Sequence, residues 1–480
     1  MAIKVIYNKE PAPGKLKKAE LYALSVGMVI GAGVITLIVP AAKMTGYSAW
    51  LAYFVAIIVG FVMVLPNILI SSAVRTGAGH YSTICGLGGP KVAGIYAFTF
   101  LTQCISLSLF GSSAAAYLGD IIPILGSSTA RTIVAVILLT AFYVLNLMDI
   151  KLMAGVQKYM TWILIAALIL FAGAGCLKLR LPIFNFSDPG FAPQGWGLVM
   201  KNGRISGGFL GAVLLFLYSC NGYNSTPSYG GAAKNATRDI PFVMMLTVPT
   251  LIILYCTVAM AGVGTLTSEE YGSSTTLVFA AQQILSKPLF IIFVIGGPIM
   301  ALLTTLNSSF SYMAINIGQS CDDGWLPVAF GKKNKHGARV WVLTFIYAIG
   351  VIPIIFGLSI TTLTNMLQLI GSFNAILFFI SYINLPKLYP KAWKASRFHI
   401  PDVVYRMVCT ITLLLNMVVL WKSCLSITPT LAIINVGVIV LVSAIGFYRG
   451  RKGNIIIHTS IWSYDEEENM RAAALIAEKS

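Results

Sequence analysis

The sequence predicts an all-α, polytopic membrane protein that crosses the bilayer twelve times. Of its 480 residues, 57% are hydrophobic and only 10% are charged, and the mean hydropathy is +0.83. This composition excludes an ordinary soluble domain. Runs of about 20 apolar residues match the hydrocarbon thickness of a bilayer. Such runs define spans 1 to 12, at residues 21–42, 47–73, 91–120, 131–148, 154–177, 207–232, 241–263, 288–318, 340–357, 362–385, 406–424 and 430–448.

The basic residues predict the orientation of these spans. An even number of crossings puts both termini on one side. If that side is the cytoplasm, 25 of the 33 Lys and Arg residues lie on it, as membrane proteins prefer. We therefore expect a multi-pass protein of the cytoplasmic (plasma) membrane with cytoplasmic N- and C-termini. The net charge of +17 is spread over short loops, so no surface that would bind nucleic acid is expected.

The residues that usually carry metal or disulfide chemistry are dispersed. The eight cysteines form no CxxC pair and lie far from the histidines, which predicts neither a disulfide framework nor a metal site. All four histidines fall in predicted cytoplasmic segments, so none is expected to serve a mid-membrane relay; they are His80, His336, His399 and His458. The tail from Asp465 predicts a short helix with acidic residues at its positive end, and we expect this helix to be solvated.

Two spans contain residues that weaken a transmembrane helix. Span 1 has Gly27, Gly31 and Gly33 within its apolar run, and span 6 has Asn, Gly, Ser, Thr and Pro residues over 219–231. Backbone groups that a broken helix frees within hydrocarbon need another partner. A break at this depth is therefore a candidate binding site. The alternative is a small-residue packing face in span 1 and a simple kink at Pro227 in span 6.

The two interruptions recur at corresponding positions, because span 6 follows span 1 by five. Paired interruptions of this kind are typical of inverted-repeat transporters, whose sites lie between broken helices. The expected organisation is an N-terminal segment, a first five-helix repeat, an external loop, a second five-helix repeat, two additional helices and a C-terminal tail. Their boundaries are 1–20, 21–177, 178–206, 207–385, 386–448 and 449–480.

Three motifs resemble those of the amino acid permeases of the amino acid–polyamine–organocation (APC) superfamily, which have the LeuT-type fold. Residues 27–35 resemble the first-helix motif G-x-x-I-G-S-G-I-F, with Ala for Ser and Ile for Phe. Residues 234–241 resemble the K-N-P-x-R-N-I-P that follows the sixth helix, and residues 323–337 resemble the D-G-x-L-P-x-x-F-x-K-x-N-K-x-G after the eighth. The resemblance implies an amino acid transporter with a 5+5 inverted repeat and discontinuous first and sixth helices.

The resemblance also implies a substrate site at the two breaks. The substrate carboxylate would bind the N–H groups of Ala32, Gly33 and Val34, which the positive end of a helix also favours. The ammonium group would face carbonyls released near Gly27 and Ile30 in span 1 and at Tyr218, Ser219 and Asn221 in span 6. Tyr218 would be the aromatic gate, Asn224 matches a family asparagine, and Tyr223 stands where relatives often carry Trp. The substrate-binding residues are expected to be Ile30, Gly31, Ala32, Gly33, Val34, Tyr218, Ser219, Cys220, Asn221, Tyr223 and Asn224.

Charge within the membrane limits the substrate class. All sixteen carboxylates lie in loops, tails or at span ends, and no Lys or Arg lies deep within a span. A charged substrate side chain would enter a low-dielectric pocket without a counter-ion. We therefore expect a neutral, zwitterionic amino acid. Candidates for side-chain selectivity are Gln103, Ser106 and Ser108 in span 3, Cys220 and Asn221 in span 6, and Asn307 in span 8.

The sequence gives fewer indications of the coupling ion than of the substrate class. Many relatives carry a lysine in the fifth helix, where this chain has Leu164. A proton relay is disfavoured because no span holds a buried acidic residue, lysine or histidine. A sodium site like that of LeuT-type transporters is implied by the carbonyls of Gly27 and Ile30 and the hydroxyls of Ser308 and Ser309. Sodium symport and amino acid exchange both stay open, and no other cofactor is expected.

Other classes of function remain as alternatives. A channel-like or facilitative pathway could also use exposed carbonyls, and the solute could be a zwitterion or amine other than an amino acid. An intramembrane enzyme would need a catalytic or metal-binding set that the spans lack, so no enzymatic activity is expected. Some relatives bind a partner subunit by a disulfide in the loop between spans 3 and 4. That loop contains no cysteine here, and no disulfide-linked partner is expected.

Overall fold

The computed structural model describes residues 3–31, 33–220, 222–267, 270, 277–358, 360–452 and 455–478. Within these ranges, ten helices are long and apolar enough to cross a membrane. This confirms a polytopic, helical membrane protein. A helix that is apolar on all sides is stable in lipid or deep within a bundle. Each of these helices is buried by the rest of the protein along part of its surface and uncovered along the remainder.

The α-helices follow one another with few interruptions. Their bounds are α1 Lys18–Val29, α2 Gly33–Thr36, α3 Ile38–Thr45, α4 Ala49–Ala73, α5 Gly79–Thr83, α6 Pro90–Thr102, α7 Ser106–Ile121, α8 Ser128–Asn146, α9 Ile150–Cys176, α10 Phe209–Phe216, α11 Ala236–Gly264, α12 Leu277–Ile284, α13 Lys287–Val294, α14 Met300–Asp322, α15 Val340–Ile355, α16 Ile360–Tyr382, α17 Leu385–Leu388, α18 Pro390–Ala395, α19 Asp402–Ser426, α20 Pro429–Lys452 and α21 Glu466–Glu478.

Tighter and wider turns join several of these helices. Short 3₁₀ segments are Gly46–Ser48, Gln103–Ile105, Pro123–Leu125, Leu217–Ser219, Gly222–Tyr229 and Val328–Gly331. Two π-helical turns, Ile84–Gly88 and Ile295–Ile299, lie before span 3 and within span 8.

Two predicted spans do not form a long apolar helix. Span 6 is divided into the eight-residue helix α10 and 3₁₀ turns, because its polar residues and Pro227 do not sustain an α-helix. Span 9 is the sixteen-residue helix α15, slightly short of a typical crossing.

The broken spans lie in the interior of the bundle. The α1 helix of span 1 packs against α9, α11, α14 and the Gly222–Tyr229 segment. The α19 and α20 helices of spans 11 and 12 are mostly uncovered along their length. The bundle therefore keeps its site-forming segments away from lipid and leaves the last two spans at its edge.

Both ends of the chain meet on one face of the bundle, here called the terminal face. Strand β1 (Lys4–Ile6) pairs in parallel with β5 (Ile456–His458), and β2 (Arg75–Thr76) pairs antiparallel with β6 (Ile461–Trp462). A third pair, β3 (Val199–Lys201) with β4 (Arg204–Gly207), lies in the loop before span 6. These strands are additions to the predicted all-α fold.

The C-terminal helix is present but is not surrounded by solvent, contrary to the prediction. Glu468 is buried, and one of its carboxylate oxygens accepts a hydrogen bond of 2.6 Å from the backbone N–H of Lys391. Ala472 and Ile476 are also buried. The apolar residues of the helix therefore pack against the bundle, and an acidic residue caps α18.

Candidate functional site

The α1 helix of span 1 ends at Val29, next to the glycines that predicted a break in this span. The Ile30 N–H makes the last helical bond, 2.8 Å to the carbonyl oxygen of Val26, and the Gly31 N–H turns back to the Val29 carbonyl at 2.9 Å. The chain becomes helical again at Gly33. The Leu37 N–H bonds to the Gly33 carbonyl at 3.0 Å, so α2 and α3 continue as one outer segment. Span 1 is thus discontinuous at mid-length.

Span 6 is interrupted at a comparable depth. Helix α10 tightens into the Leu217–Ser219 turn, and the chain continues as the Gly222–Tyr229 segment. In that segment short polar side chains bond to their own backbone: the Thr226 hydroxyl donates to the Tyr223 carbonyl at 2.7 Å, and the Ser225 hydroxyl donates to the Gly222 carbonyl at 2.8 Å. Such local bonds compete with a regular helix.

The two interruptions touch each other through glycines. A Cβ atom placed on Gly33 would lie 2.5 Å from the Ser219 Cβ atom. A Cβ atom on Gly222 would lie 2.4 Å from the Met28 carbonyl oxygen and 2.7 Å from the Val29 Cα atom. Both contacts are too short for any side chain. The glycines of spans 1 and 6 therefore allow the two broken backbones to lie against each other.

Two buried tyrosines that the sequence did not single out hold these backbones. The Tyr255 hydroxyl in span 7 lies 3.0 Å from the carbonyl oxygen of Val29 and 3.4 Å from that of Ser219. The Tyr53 hydroxyl in span 2 lies 2.8 Å from the Ser219 hydroxyl, and the Tyr53 ring stacks on Phe216 with centroids 3.8 Å apart. Their positions in apolar spans gave no signal, because aromatic residues are common in any core.

The predicted substrate residues are largely brought together. Ile30 and Val34 are buried in span 1, and Ser219, Cys220 and Tyr223 are buried in span 6. Gly31 and Gly33 flank the turn. Ala32 and Asn221 lie outside the described residues, so nothing is said of their structure.

Three predicted site residues of span 6, Tyr218, Tyr223 and Asn224, lie in different surroundings. Tyr218 is 43% exposed, whereas the Tyr223 hydroxyl is enclosed without a hydrogen-bond partner among the described residues. Asn224 lines a cavity of about 100 Å³ together with Asn67, Tyr382 and Asn416. A cavity of this size has room for several water molecules, and these asparagine and tyrosine side chains offer them hydrogen-bond partners.

The electrostatics of the breaks come from the backbone. No acidic or basic residue occurs among the described residues of the two breaks, 27–31, 33–36, 216–220 and 222–229. The partial charges there belong to peptide N–H and C=O groups at helix ends. The electrostatic potential at the breaks is therefore set by helix ends and not by charged side chains.

The proposed sodium ligands lie between spans 1 and 8. The Ser308 hydroxyl is buried and has no partner among the described residues. The Ser309 hydroxyl lies 3.8 Å from the Met28 sulfur, and the Gly27 carbonyl accepts a hydrogen bond of 3.2 Å from Thr305. The Ser308 hydroxyl oxygen is chemically suited to bind a cation. The Gly27 carbonyl oxygen would have to bind the cation while it also accepts the hydrogen bond from Thr305.

The span 3 and span 8 candidates for selectivity include residues that bond to other helices. Ser108 donates to the Gly350 carbonyl at 2.6 Å. Asn307 donates to the Gln157 side chain at 2.8 Å and accepts from Asn146 at 3.0 Å. The Gln157 amide nitrogen lies against Gly27, where a Cβ atom would be 2.1 Å away. This chain of amides joins spans 4, 8, 5 and 1.

One histidine between spans is buried. His80 is 5% exposed, its Nδ1 atom lies 3.3 Å from the Tyr382 hydroxyl, and its ring lies close to the backbone of Asn224. The segment between spans 2 and 3 folds back into the bundle, because Tyr81 and Ser82 next to His80 are also buried and bonded. His80 therefore contacts a residue of the candidate site.

Comparisons with known proteins show the family of this chain. The chain is 23% identical over 415 residues to the branched-chain amino acid permease BcaP of Lactococcus lactis subsp. cremoris, covering 82% of this chain and 84% of that protein. It is 22% identical over 378 residues to an uncharacterized protein of Methanocaldococcus jannaschii, covering 77% and 80% of the two chains. The family model described as "Amino acid permease" matches residues 17–463. The chain therefore belongs to the amino acid permease family of the APC superfamily.

Proposed function

We propose that the protein is a secondary active transporter that moves a neutral, zwitterionic amino acid across the cytoplasmic membrane by alternating access. The observation that carries the proposal is the contact between the two helix breaks at Gly33 and Ser219. Helix ends that meet within a membrane offer N–H groups to an anion and C=O groups to a cation. One zwitterion satisfies both, and permease family membership makes an amino acid the expected solute.

The substrate would lie between spans 1 and 6. Its carboxylate would accept hydrogen bonds from the N–H groups of Ala32, Gly33 and Val34. Its ammonium group would donate to the carbonyl of Ser219, whose oxygen has two lone pairs and lies 3.4 Å from the Tyr255 hydroxyl, and to the carbonyl of Ile30, as the family resemblance implies. The relative BcaP is named for branched-chain amino acids, so leucine, isoleucine and valine are the first substrates to test.

The proposal includes an architecture of twelve crossings. Spans 1–5 and 6–10 would form two inverted five-helix repeats of the LeuT type, with spans 11 and 12 as an addition. The terminal face would be cytoplasmic, as the distribution of basic residues favours. Tyr218 would then face the external side, in keeping with its exposure.

Coupling would follow one of two schemes. In the first, a sodium ion binds the oxygens of Gly27, Ile30, Ser308 and Ser309, and the buried, unpartnered hydroxyl of Ser308 supports this scheme. In the second, the protein exchanges one amino acid for another without an ion. Neither scheme needs a bound cofactor beyond sodium.

Counterflow in proteoliposomes tests the proposal. Purified protein is reconstituted in liposomes loaded with unlabelled leucine, and uptake of external labelled leucine is followed with and without a sodium gradient. Saturable uptake that requires internal leucine indicates exchange, and accumulation that requires sodium indicates symport. A current without trans-stimulation would indicate that the protein is a channel and not a carrier. No response to any neutral amino acid would refute the substrate class.

A further inference from the structure

Arg75 joins the chain that leads into span 1 to the end of span 6. A guanidinium group has five N–H donors, and here all five are used. Two of them donate to the carbonyls of Gly230 and Gly231, both at 3.1 Å. The other three donate, at distances between 2.8 and 3.2 Å, to oxygens of the N-terminal segment: the Glu10 carboxylate and the carbonyls of Pro11 and Ala12. One buried side chain therefore holds two segments that are far apart in sequence.

The backbones of the same two segments also pair directly. The Gly14 N–H donates to the Ala233 carbonyl at 3.0 Å, the Leu16 N–H donates to the Ala232 carbonyl at 2.9 Å, and the Lys234 N–H donates to the Leu16 carbonyl at 2.9 Å. A Cβ atom on Gly14 would overlap the Ala232 carbonyl, so glycine allows this close approach. Because spans 1 and 6 form the candidate site, this pairing closes the gap between them at the terminal face.

The C-terminal tail fixes the position of Arg75. Arg75 lies on strand β2, which pairs with β6 of the tail, and the Gly77 N–H donates to the Ser460 carbonyl at 2.7 Å. The Trp462 ring lies over the guanidinium group, with its centroid 6.0 Å from the Cζ atom. The indole N–H of Trp462 donates to the Asn8 carbonyl at 2.8 Å. The tail therefore packs on both Arg75 and the N-terminal segment that Arg75 binds.

Arginine suits this position better than lysine. A guanidinium group is a planar fork with donors on three nitrogen atoms, whereas an ammonium group has three donors on one atom. Hydrogen bonds from a charged donor are also stronger than those between neutral groups. A lysine at position 75 would keep the positive charge but could not reach the acceptors of both segments at once. The link between the segments therefore depends on the guanidinium group and not on charge alone.

We propose that Arg75 is a positioning residue for transport, which holds the terminal face closed by joining the ends of spans 1 and 6 at that face. A path from the site to this face between the two spans requires residues 10–16 to separate from residues 230–234. The five bonds of Arg75 cannot all persist when these segments separate. Loss of Arg75 therefore shifts the protein toward the form that is open on the terminal face. The link to transport rests on the proposed function, whereas the closure concerns the protein alone.

Hydrogen–deuterium exchange of the full-length protein in lipid nanodiscs tests this inference. Deuterium uptake is compared between the wild type, Arg75→Gln and Arg75→Lys. In Arg75→Gln we expect uptake within 10–16 and within 225–234 to rise at least about fivefold, the factor that corresponds to one net hydrogen bond. Arg75→Lys should show a smaller rise in the same two regions. Uptake within 33–45, the outer segment of span 1, should stay at the wild-type level or fall, because alternating access opens one face at a time.

Arg339→Lys is the matched control. Arg339 is also largely buried and donates to several oxygens, those of Asp322, Gly318 and Gly331. Within the described ranges, its hydrogen bonds reach neither residues 10–16 nor residues 225–234. Arg339→Lys should therefore exchange like the wild type in both regions.

The uptake pattern decides the inference. Arg75→Lys keeps the positive charge, and it carries the test if Arg75→Gln does not fold. Unchanged uptake within 10–16 or within 225–234 would overturn the inference, because Arg75 would then not hold the two segments together. An equal rise within 33–45 would also overturn it, since Arg75 would then only stabilise the fold. If the exchange data follow the expectation but no amino acid is transported, only the proposed function fails.

Discussion

The hydroxyl oxygen of Tyr255 lies 3.0 Å from the carbonyl oxygen of Val29 and 3.4 Å from that of Ser219. One side chain of span 7 therefore spans the gap between the broken ends of spans 1 and 6. The Val29 carbonyl also accepts the Gly31 N–H at 2.9 Å, so both of its lone pairs are used. The single hydroxyl hydrogen of Tyr255 favours the nearer oxygen, that of Val29, and the hydroxyl lies within reach of the Ser219 carbonyl as well.

Replacing Tyr255 by Phe should slow transport about fivefold without unfolding the protein. A buried hydrogen bond contributes about 1 kcal/mol, and that free energy corresponds to about a fivefold change in rate. Initial rates of leucine counterflow measure the effect. Tyr22→Phe is the control, because the Tyr22 hydroxyl also joins spans 1 and 7, at 2.8 Å from Thr250, but away from the breaks. Equal losses in both variants would contradict a special role for Tyr255.

Gly33→Ala should abolish most transport. The new Cβ atom would lie 2.5 Å from the Ser219 Cβ atom, and forcing extra atoms into such a contact costs about 1–3 kcal/mol. We expect a loss of counterflow between about fivefold and about 150-fold, by the same conversion of free energy to rate. Gly155→Ala is the control, since a Cβ atom there meets nothing within 4 Å.

The same contact predicts a rescue. Ser219→Gly removes the Cβ atom that Gly33→Ala would strike, so the double variant should transport faster than Gly33→Ala alone. Thermal unfolding followed in parallel separates a packing defect from a binding defect. A double variant as inactive as Gly33→Ala would show that the Gly33–Ser219 contact is not the limiting one.

Ser309→Ala tests the sodium scheme. If sodium binds between spans 1 and 8, removing one oxygen ligand should eliminate sodium stimulation of uptake while exchange of internal for external leucine persists. Ser320→Ala is the comparison, because the Ser320 hydroxyl donates to the Ile317 carbonyl of its own helix at 2.7 Å. Unchanged sodium stimulation in Ser309→Ala would dismiss this ion site.

Asp323→Ala should release the C-terminal tail from the terminal face. Its carboxylate accepts hydrogen bonds from the Tyr81 hydroxyl at 2.6 Å and from the His458 N–H at 3.0 Å. Leaving such buried donors unpaired costs about 1–3 kcal/mol each. Trypsin cleavage at Arg471, followed by mass spectrometry, should therefore become about tenfold faster.

The neighbouring residue gives a control for the tail experiment. Each carboxylate oxygen of Asp322 accepts a hydrogen bond of 2.6 Å from Arg339, and Asp322 has no hydrogen bond to the described residues of the tail. Asp322→Ala should leave cleavage at Arg471 unchanged. Equal cleavage rates in the wild type and Asp323→Ala would mean that β1, β6 and Glu468 hold the tail without Asp323.

Local chemistry made the membrane class and the helix breaks predictable. Glycine at 27, 31 and 33 weakens a helix wherever it occurs, and the observed helix indeed ends at Val29 and resumes at Gly33. The polar residues of span 6 likewise interrupt that span. The wrong expectation concerns the surroundings of the tail helix, which is packed against the bundle instead of solvated.

The partners of the breaks were not predictable from the chain alone. Tyr53 and Tyr255 are aromatic residues in apolar runs, and no local pattern separates a tyrosine that bonds to a broken helix from one that fills a core. Gln157 is similar, because its contact with Gly27 depends on how spans 1 and 5 cross. These roles arise from distances between residues far apart in sequence.

By itself, the sequence determined that the chain lies in a membrane, where its spans run and where two of them cannot continue as helices. These properties follow from transfer of side chains to hydrocarbon and from backbone propensities, which act over a few residues. The tertiary structure decided that the two breaks meet at Gly33 and Ser219 and that Tyr255 joins them. Such contacts depend on the packing of whole helices, whose relative positions no short stretch of sequence encodes.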